Sequence, residues 1–485
     1  MTSHSLRAKA FINFFWRFAE RIFAQLISFI VALILARILS PNDYGTVALI
    51  MIFTNIMQVL VDSGLANALV QKIDADDVDF SSVFFFNIVW GLILYFLLYT
   101  LAPFIAAFYV KPELVSLIRV LGLTVVVSGV KNVQQAYVSR TLQFKKFFSA
   151  TLTGTLISAV VGIVLALKGF GAWAIVGQYL GNICIDTLTL WITVRWRPKK
   201  EFSFERLKTL LSYGWKLLAS GLLDTFYQNT WQLVIGKVYS PLDLAYYNQG
   251  NKFPNIIVSN VNSSIDSVLL PVMSKEQNNI ESVKLMTRRA IKTSVYIMSP
   301  LMFGLIATSE IVVRLILTEK WISCVPFLCV FCFANVFLPV HTANLNAIKA
   351  MGRSDLFLNL EIIKKLVGFL GLVISANIGV MAMAWMVVII SFLCQIINSW
   401  PNKYMLNYGY FAQLKDILPS IIISAGMGGV MYLIKYVPMN DYFILILQII
   451  VGVAIYVFLS ILFKVESFFY LLNLFKSFLG NIKRF

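Results

Sequence analysis

The sequence predicts an all-helical integral membrane protein that contains a duplicated helical unit. Apolar residues make up 59% of the 485 positions and charged residues only 13%, with a mean hydropathy of +0.80. This composition is too apolar for a soluble globular protein. Apolar stretches near the roughly 20 residues that a helix needs to cross a bilayer recur along the whole chain. Parts of the chain also match each other at an offset of 200 residues, which indicates an internal repeat.

Fourteen apolar stretches are long enough to form transmembrane helices. They cover residues 18–39, 44–70, 83–108, 114–136, 147–167 and 172–194, then 217–235, 247–273, 293–311, 322–348, 356–377 and 380–400, and finally 417–434 and 442–463. We therefore predict an N-terminal lobe over residues 1–200, a C-terminal lobe over 201–405, two further helices within 406–463, and an amphipathic cytosolic tail over 464–485.

The basic residues are distributed as expected for this topology. A formal net charge of +17 would suggest a nucleic-acid partner in a soluble protein. Of the 40 Lys and Arg residues, however, 28 fall in the N-terminal arm, alternate loops and the C-terminal tail, and only seven fall in the intervening loops. Because cytosolic loops are enriched in Lys and Arg, this alternation supports fourteen spans and predicts that both termini are cytosolic. We predict no nucleic-acid partner.

The internal repeat is carried by two matching segments at one offset. The first is a turn that closes a long apolar run, and the second lies in the apolar segment that follows it. Duplicated helical bundles that face each other across a central cavity are the usual construction of secondary transporters. Residues Arg37, Ser40, Pro41 and Asp43 fall on Lys237, Ser240, Pro241 and Asp243, and residues 61–65 fall on residues 261–265.

The sequence lacks the motifs of nucleotide-driven pumps and of soluble enzymes. It contains no phosphate-binding loop with two glycines followed by Lys and Ser or Thr, and its five cysteines do not form the two pairs of a four-ligand metal site. The longest inter-helix loop covers about residues 195–216, which leaves no room for a soluble catalytic domain. The first apolar run carries charges and no small-residue cleavage site, so we expect it to be retained. A secondary transporter without a cofactor or metal is the best interpretation.

Cations inside the predicted helices are candidates to line a hydrated cavity, because a charge costs a few kcal/mol at the bilayer centre unless it faces a partner or water. Arg17 and Arg21 share one helix face with Glu20, and all three could instead reach the lipid phosphates of the cytosolic leaflet. Arg119 could also pair with a carboxylate near the start of its helix. Lys252 lies about two turns below the outer surface, which is deep for a loop cation.

Acidic and polar residues inside the helices are candidates for ion coupling or for a polar cavity wall. The seventh and eighth predicted helices are unusually polar, which favours the lining of a water-filled space. His341 could relay protons because its unperturbed pKa is near neutrality, or it could be a hydrogen-bonded packing residue. The position that matches Asp62 in the repeat is neutral. The candidates are Glu20, Asp62, Asp224, Asn229, Asp266 and His341.

Several residue strings together are specific to one family. They are residues 35–45 (LARILSPNDYG), 62–65 (DSGL), 68–71 (ALVQ), 140–145 (RTLQFK), 169–174 (GFGAWA) and 270–274 (LPVMS). With these strings, the chain resembles the polysaccharide transporter family, the Wzx-type flippases of lipid-linked oligosaccharides in the multidrug and oligosaccharide exporter superfamily. The similarity covers most of the chain, and the subgroup for colanic acid and teichuronic-type polymers resembles it most.

The resemblance implies a MATE-like fold, with two six-helix lobes related by a pseudo-twofold axis along the membrane normal and two extra helices. It implies a substrate made of a short oligosaccharide on undecaprenyl pyrophosphate, moved by alternating access across the bacterial cytoplasmic membrane for polysaccharide synthesis. Membrane lipids and polysaccharide polymerase or export proteins are the implied partners, and a proton or sodium ion is the possible coupling ion. Our hypothesis is that the pyrophosphate is held by Arg17, Arg21, Arg119 and Lys252.

Two other classes stay open at this point. A cation-coupled multidrug antiporter of the same fold would use acidic and aromatic cavity residues, and transport of a small dye would reveal it. A membrane-embedded polymerase or ligase acting on the same lipid would be an enzyme with a large outer loop that carries catalytic Arg or His residues. The short loops of this chain favour the transporter over the enzyme.

Overall fold

The computed structural model describes residues 23–62, 64–72 and 74–482, and within these residues it contains helices and short connections but no strand. The predicted all-helical fold is confirmed. In chain order the helices are α1 (Phe23–Ile38), α2 (Pro41–Asp62), α3 (Leu65–Gln71), α4 (Asp77–Phe108), α5 (Leu114–Arg140), α6 (Phe144–Leu167), α7 (Ala172–Thr193), α8 (Phe204–Val238), α9 (Pro241–Lys275), α10 (Ile280–Leu317), a 3-10 helix (Glu319–Cys324), α11 (Val325–Asn335), α12 (Leu338–Ala350), α13 (Ser354–Ser375), α14 (Val380–Met405), α15 (Tyr410–Ile434), α16 (Asp441–Leu462) and α17 (Glu466–Ile482).

The helices agree with the fourteen predicted spans. In the described part of the chain, ten helical segments are long and apolar enough to cross a membrane. The other four predicted spans correspond to α1, α7, α8 and α13. Two spans are broken in their course: the second is divided between α2 and α3, and the tenth begins as the 3-10 helix and continues as α11 and α12.

Contacts divide the chain into two compact units, one ending at Ala245 and one beginning at Tyr246. The predicted boundary after residue 200 follows the sequence repeat instead. The helix between these two positions, α8, packs on α2, α3 and α4 of the first unit.

In the first unit, α5 is the central helix, since it packs on α2, α3, α4, α6 and α7. Buried apolar side chains fill the space among α3, α4, α5, α6 and α8, together with the segment after α7. Leu65, Phe80, Phe84, Trp196 and Leu210 belong to this cluster. The cluster fixes α3 and the last turns of α5, next to which the polar cavity described below opens.

The acidic turn before α4 is held by charge. Asp76 caps α4 by accepting hydrogen bonds from the amides of Val78 and Asp79 at 3.0 and 3.1 Å. The Arg206 guanidinium donates to both carboxylate oxygens of Asp76 at 2.6 Å and lowers the pKa of Asp76 to about 2. Lys72 forms an ion pair with the buried Asp79 at 2.8 Å. This turn therefore ties the beginning of α8 to the beginning of α4.

In the second unit, α10 is the central helix and packs on α11, α12, α15, α16 and α17. Tyr296, Met427, Met431 and Tyr456 are buried together where α10 meets α15 and α16. The Tyr456 hydroxyl donates to the backbone oxygen of Tyr296 at 2.7 Å, so this aromatic pair is also hydrogen-bonded. A hydroxyl with such a partner can be buried at little cost.

The repeated turn begins a helix in both copies. The Ser40 hydroxyl accepts from the amide of Asp43 at 3.2 Å at the start of α2, and Ser240 accepts from the amide of Asp243 at 3.1 Å at the start of α9. Each serine hydroxyl also donates to the carboxylate of its aspartate, at 2.6 and 2.5 Å. A proline follows each serine as the first helical residue, where its missing amide proton has no cost. The offset of 200 thus superimposes the starts of α2 and α9.

A second boundary recurs at the ends of α5 and α12. Leu142 and Gly352 have positive φ angles of 55° and 73°. The amide after Leu142 donates to the Val138 carbonyl at 3.0 Å, and the amide after Gly352 donates to the Ile348 carbonyl at 3.1 Å. Both are helix ends with a left-handed residue. The ends of α5 and α12 therefore match at an offset of 210 residues.

Candidate functional site

A polar cavity of about 510 Å³ lies in the first unit where α2, α3, α5, α6 and α8 approach each other. One aromatic ring, that of Phe147, belongs to its lining. Inside a bilayer, a hollow with this many polar groups is hydrated, because each group would otherwise lose its water without compensation. The polar lining consists of a carboxylate, amides and hydroxyls, namely those of Asp62, Asn67, Asn132, Gln135, Ser139 and Thr151.

The break between α2 and α3 shapes this cavity. Gly64 follows the end of α2 with a positive φ of 69° and itself lines the cavity. A side chain at this position would begin 2.4 Å from the carbonyl oxygen of Gly214 on α8. Only glycine fits both this conformation and the close approach of α8. The same break leaves Asp62 at the end of α2, with its side chain exposed to the cavity.

Asp62 is joined to α5 by a short hydrogen bond. The Asn132 amide donates to the Asp62 carboxylate at 2.6 Å, and Asn132 is buried. Four residues earlier on α2, Gln58 donates to the Thr124 hydroxyl at 3.5 Å. The order of these contacts shows that α2 and α5 run parallel at this point. Asn132 thus fixes one oxygen of the Asp62 carboxylate, and the rest of the carboxylate is exposed to the cavity.

An ion pair lies next to this contact. Lys131 on α5 and Asp186 on α7 are 2.6 Å apart, and their side chains are 17% and 10% exposed. Because both residues fall inside predicted spans, each charge would be costly without the other. The pair links α5, which carries the cavity amides, to α7.

The second copy of the repeat contains a corresponding carboxylate–amide contact. The Asn346 amide of α12 donates to the Asp266 carboxylate of α9 at 2.6 Å, and the Asp266 side chain is exposed. Asp266 lies four residues further from the start of α9 than Asp62 lies from the start of α2. Asn346 precedes Gly352 by six residues, whereas Asn132 precedes Leu142 by ten. Both partners have therefore moved by one helical turn in the same direction.

The position that matches Asp62 by sequence offset is Asn262. Its amide oxygen is buried and has no hydrogen-bond partner among the described residues. The sequence comparison correctly identified the neutral residue there, but the carboxylate that serves the second copy is Asp266, one turn further along. The contact is kept in both copies although the aligned position is not acidic.

His341 occupies the place of Lys131 in the second copy. At the offset of 210 that matches the ends of α5 and α12, residue 341 corresponds to residue 131. His341 is buried, its Nδ1 lies 3.0 Å from the Asn398 amide nitrogen, and its Nε2 lies 3.5 Å from the Ser391 hydroxyl. A neutral link between α12 and α14 thus stands where an ion pair links α5 and α7. This geometry supports the packing interpretation of His341.

Of the four candidate cations, the two that the structure describes, Arg119 and Lys252, do not line the cavity of the first unit. Arg17 and Arg21, with Glu20, lie outside the described residues. Arg119 places its guanidinium 4.0 Å from the centre of the Tyr99 ring, and its buried Nε has no hydrogen-bond partner within the described part of the chain. The carboxylate considered as its partner, Glu113, pairs with Lys111 instead, at 3.4 Å.

The remaining candidates lie on α8 and α9. Lys252 is partly buried in the second unit, and among the described residues it makes no hydrogen bond or ion pair. Asp224 is exposed on α8. Asn229 is buried, and its amide donates to the Thr225 carbonyl of its own helix at 2.7 Å. Sequence reasoning missed Asn132, Asn346 and the Lys131–Asp186 pair, although a lysine and an aspartate inside predicted spans were a usable signal.

The second unit has a hollow of different chemistry. A groove of about 490 Å³ is bounded by α9, α10, α15 and α16. Small residues at Gly304 and Gly452 belong to its lining, which is otherwise almost entirely aliphatic, aromatic or thioether side chains. Such a groove suits a hydrocarbon chain and offers little to a sugar.

Comparison with known proteins identifies related sequences. The model of a family described as polysaccharide biosynthesis protein matches residues 34–326. Teichuronic acid biosynthesis protein TuaB of Bacillus subtilis (strain 168) is 25% identical over 414 residues, which cover 83% of this chain and 85% of that protein. Lipopolysaccharide biosynthesis protein WzxC of Escherichia coli (strain K12) is 24% identical over 418 residues, covering 86% of this chain and 83% of that protein.

Solved structures share the fold. The lipid II flippase MurJ in an inward closed conformation superimposes with a TM-score of 0.74 at 16% identity, covering 92% of this chain and 98% of that one. An inward-facing multidrug resistance MATE family transporter of the MOP superfamily superimposes with a TM-score of 0.63 at 16% identity, covering 79% of this chain and 94% of that one. The expected MATE-like architecture is confirmed.

Proposed function

Because the chain belongs to the polysaccharide biosynthesis protein family, within the Wzx-type transporters, we propose that it carries an oligosaccharide on undecaprenyl pyrophosphate from the cytosolic to the outer leaflet of the bacterial cytoplasmic membrane. In general terms the chain is a multi-pass flippase of lipid-linked oligosaccharides and not an enzyme. The pyrophosphate linkage, the direction of transport, cytosolic termini and a polymerase or export partner are parts of the proposal.

The physical obstacle is the head group. Several sugars and an ionised linkage cannot enter hydrocarbon at a useful rate, because every buried hydroxyl or charge loses its water. The polyprenyl chain has no such difficulty and can remain in lipid. A flippase therefore needs a polar path for one end of its substrate and an apolar path for the other.

The polar cavity of the first unit is the observation that carries this proposal. Its amides, hydroxyls and carboxylate offer both donors and acceptors, which is the chemistry that sugar hydroxyls require. A cation-coupled drug antiporter would instead be expected to surround a carboxylate with aromatic rings, and Phe147 is the one ring in this lining. The second unit has an apolar groove, whose chemistry suits a hydrocarbon chain.

In the proposed cycle, the two lobes expose the head group first to the cytosol and then to the outer side. Arg17, Arg21, Arg119 and Lys252 are proposed to hold the pyrophosphate. Lys252 makes no hydrogen bond or ion pair with the described residues, which supports its part in this. Asp62 is the proposed site of a proton or sodium ion, with Asp224 and Asp266 as further carboxylates. Since Asn132 holds one oxygen of Asp62 at 2.6 Å, uptake of a cation there would compete with that hydrogen bond.

The direct test is transport of a defined lipid-linked oligosaccharide in proteoliposomes that contain the full chain, with imposed proton or sodium gradients. We expect flipping that responds to one of the gradients. Asp62→Ala should slow it by about tenfold or more, because it removes the carboxylate proposed to take up the coupling ion, and coupling between two sites typically amounts to about 1–3 kcal/mol.

Asp355→Ala is the matched control, since Asp355 is an exposed carboxylate paired with Arg353 outside the cavity. It should transport at the rate of the unmodified protein. Transport of a small cationic dye with no movement of the lipid-linked glycan would replace the flippase by the antiporter. An unchanged rate for a folded Asp62→Ala protein would remove the cavity from the transport path.

A further inference from the structure

A third hollow, of about 320 Å³, lies in the second unit between α9, α10 and α17. Its floor is one face of α9, where apolar residues recur at spacings of three and four. The hollow is also lined by a positively charged group and hydroxyls of α10 and by an aromatic ring of α17. The lining consists of Ile265, Val268, Leu269 and Val272 of α9, Met286, Arg289, Ala290, Thr293 and Ser294 of α10, and Tyr470 of α17.

Arg289 is the one cation of this lining, and its charge is not neutralised within the described residues. The cations beside it on α10 do have carboxylate partners. Arg288 donates two hydrogen bonds to Asp416 at 2.7 and 2.8 Å, and Lys292 forms an ion pair with Glu466. Arg289 is exposed, and in the described part of the chain it contacts the Tyr470 ring and forms no ion pair. The hollow therefore presents a positive charge that is available to an external anion.

The tail helix α17 completes the wall. Its first residue, Glu466, is held by Lys292, and Ser467 is buried against the unit. One turn later Tyr470 reaches the hollow, with its ring centre 5.9 Å from the Arg289 guanidinium carbon. The ring and the guanidinium attract each other at this distance, so they are arranged as neighbours on one rim.

The hollow lies at the level of lipid head groups. The eighth predicted span ends at residue 273 and the ninth begins at residue 293, so the α9 face enters hydrocarbon while Arg289 stands one turn outside it. With both termini cytosolic, as the distribution of basic residues predicts, this end of the helices lies on the cytosolic side. The cytosolic leaflet carries anionic lipids, to which basic residues at the membrane surface are attracted.

We propose that this hollow is a binding site for an anionic phospholipid of the cytosolic leaflet, with the lipid phosphate on Arg289 and an acyl chain along the apolar face of α9. A single ligand with a charged head and a hydrocarbon tail satisfies the cation and the apolar floor together. Neither a soluble anion nor a neutral lipid satisfies both. The bound lipid would join α9 and α10 to the tail helix α17. This site is independent of the transported substrate.

Native mass spectrometry of the full-length protein tests the site, with phosphatidylglycerol and phosphatidylcholine of identical acyl chains as the probes. We expect the unmodified protein to retain one phosphatidylglycerol in preference to phosphatidylcholine. Arg289→Gln should weaken this binding by about tenfold, since it removes a charge-assisted hydrogen bond to phosphate. Val268→Trp, at an exposed position on the α9 face, should also weaken it by filling the acyl-chain path.

Arg353→Gln is the matched control for charge, because Arg353 is an exposed arginine on the loop between α12 and α13 and pairs with Asp355. It should bind phosphatidylglycerol as the unmodified protein does. Equal binding of the two phospholipids, or equal loss in Arg289→Gln and Arg353→Gln, would overturn the proposal. Displacement of phosphatidylglycerol by inorganic phosphate alone, or by polyprenyl phosphate at lower concentration than by phosphatidylglycerol itself, would also overturn it.

Discussion

The α2–α5 contact and the α9–α12 contact are two copies of one carboxylate–amide hydrogen bond. Both join a carboxylate to an amide at 2.6 Å, and both lie between helices whose boundaries match at offsets of 200 and 210 residues. The second version is displaced by one turn, about 5.4 Å along the helix. If only the carboxylate had moved by one turn, the hydrogen bond to the amide would have been lost. Both copies therefore retain the contact between the two helices and not the aligned sequence position.

The neighbouring links differ in charge. Lys131 and Asp186 connect α5 to α7 by an ion pair, whereas His341 and Asn398 connect α12 to α14 by a neutral hydrogen bond. The hollows also differ in polarity: the first unit has a polar cavity and the second unit has an apolar groove. The hollow of the first unit thus has polar chemistry and that of the second unit has apolar chemistry.

The largest effect is expected from breaking the ion pair. Lys131→Met should lower the free energy of unfolding by about 3–5 kcal/mol, because it leaves the buried Asp186 charge uncompensated. His341→Leu, at the matching position of the second copy, should cost about 1–3 kcal/mol, since it leaves a neutral amide without its partner. Unfolding of the purified protein in detergent measures both values.

A double variant separates charge from packing at the ion pair. Lys131→Met with Asp186→Leu removes both charges and should recover most of the stability lost by Lys131→Met alone. If the double variant is as unstable as the single one, the α5–α7 link depends on side-chain shape, and the contrast with the neutral link between α12 and α14 disappears.

A smaller effect is expected from the displaced contact of the second copy. Asp266→Ala should cost about 1.5 kcal/mol, the low end for a hydrogen bond to a charged group, because the carboxylate is exposed. Returning the pair to the register of the first copy should restore this stability. That variant carries Asn262→Asp, Asp266→Ala, Thr342→Asn and Asn346→Ala, which place the pair where the first copy has Asp62 and Asn132.

The register variant has its own control. Asn262→Asp and Asp266→Ala without the two changes on α12 supply a carboxylate but no amide opposite it, and should remain unstable. If stability recovers when only α9 is changed, the carboxylate needs no amide from α12. The comparison between the two contacts would then be accidental.

Sequence reasoning predicted the helices well because the bilayer imposes a minimum apolar length on every span. It also found the repeated turn, since Ser40 and Asp43 are local residues whose spacing defines a helix start. It could not find the partner of Asp62, because an offset comparison pairs residue 62 with residue 262 and contains no information on helix rotation. Apolar periodicity does not help in membrane helices, since the lipid-facing side and the packed side are both apolar.

The candidate site was predicted only in part, because the sequence does not show how the helices are rotated. Asp62 was singled out as a charge inside a span, and it lines the polar cavity of the first unit, whereas a polar lining from the seventh and eighth predicted helices stays a prediction. The partners Asn132 and Asp186 are 70 and 55 residues away from the residues they contact, and no local pattern identifies them. Pairing of that kind depends on which faces of α2, α5 and α7 meet, which is a tertiary property.

The smallest effect is expected at the two helix starts. Ser40→Ala and Ser240→Ala should each lower the free energy of unfolding by about 1 kcal/mol, the usual cost of removing an N-cap hydroxyl. The two costs should be equal, because each hydroxyl accepts one amide hydrogen bond at nearly the same distance, 3.2 and 3.1 Å. Asp43 also accepts from the Ser40 amide at 3.0 Å, a bond that serine substitution leaves intact. Unfolding of the two variants, measured side by side, tests this equality. If only one substitution lowers the free energy of unfolding, the duplicated turn caps a helix in one copy and has another role in the other.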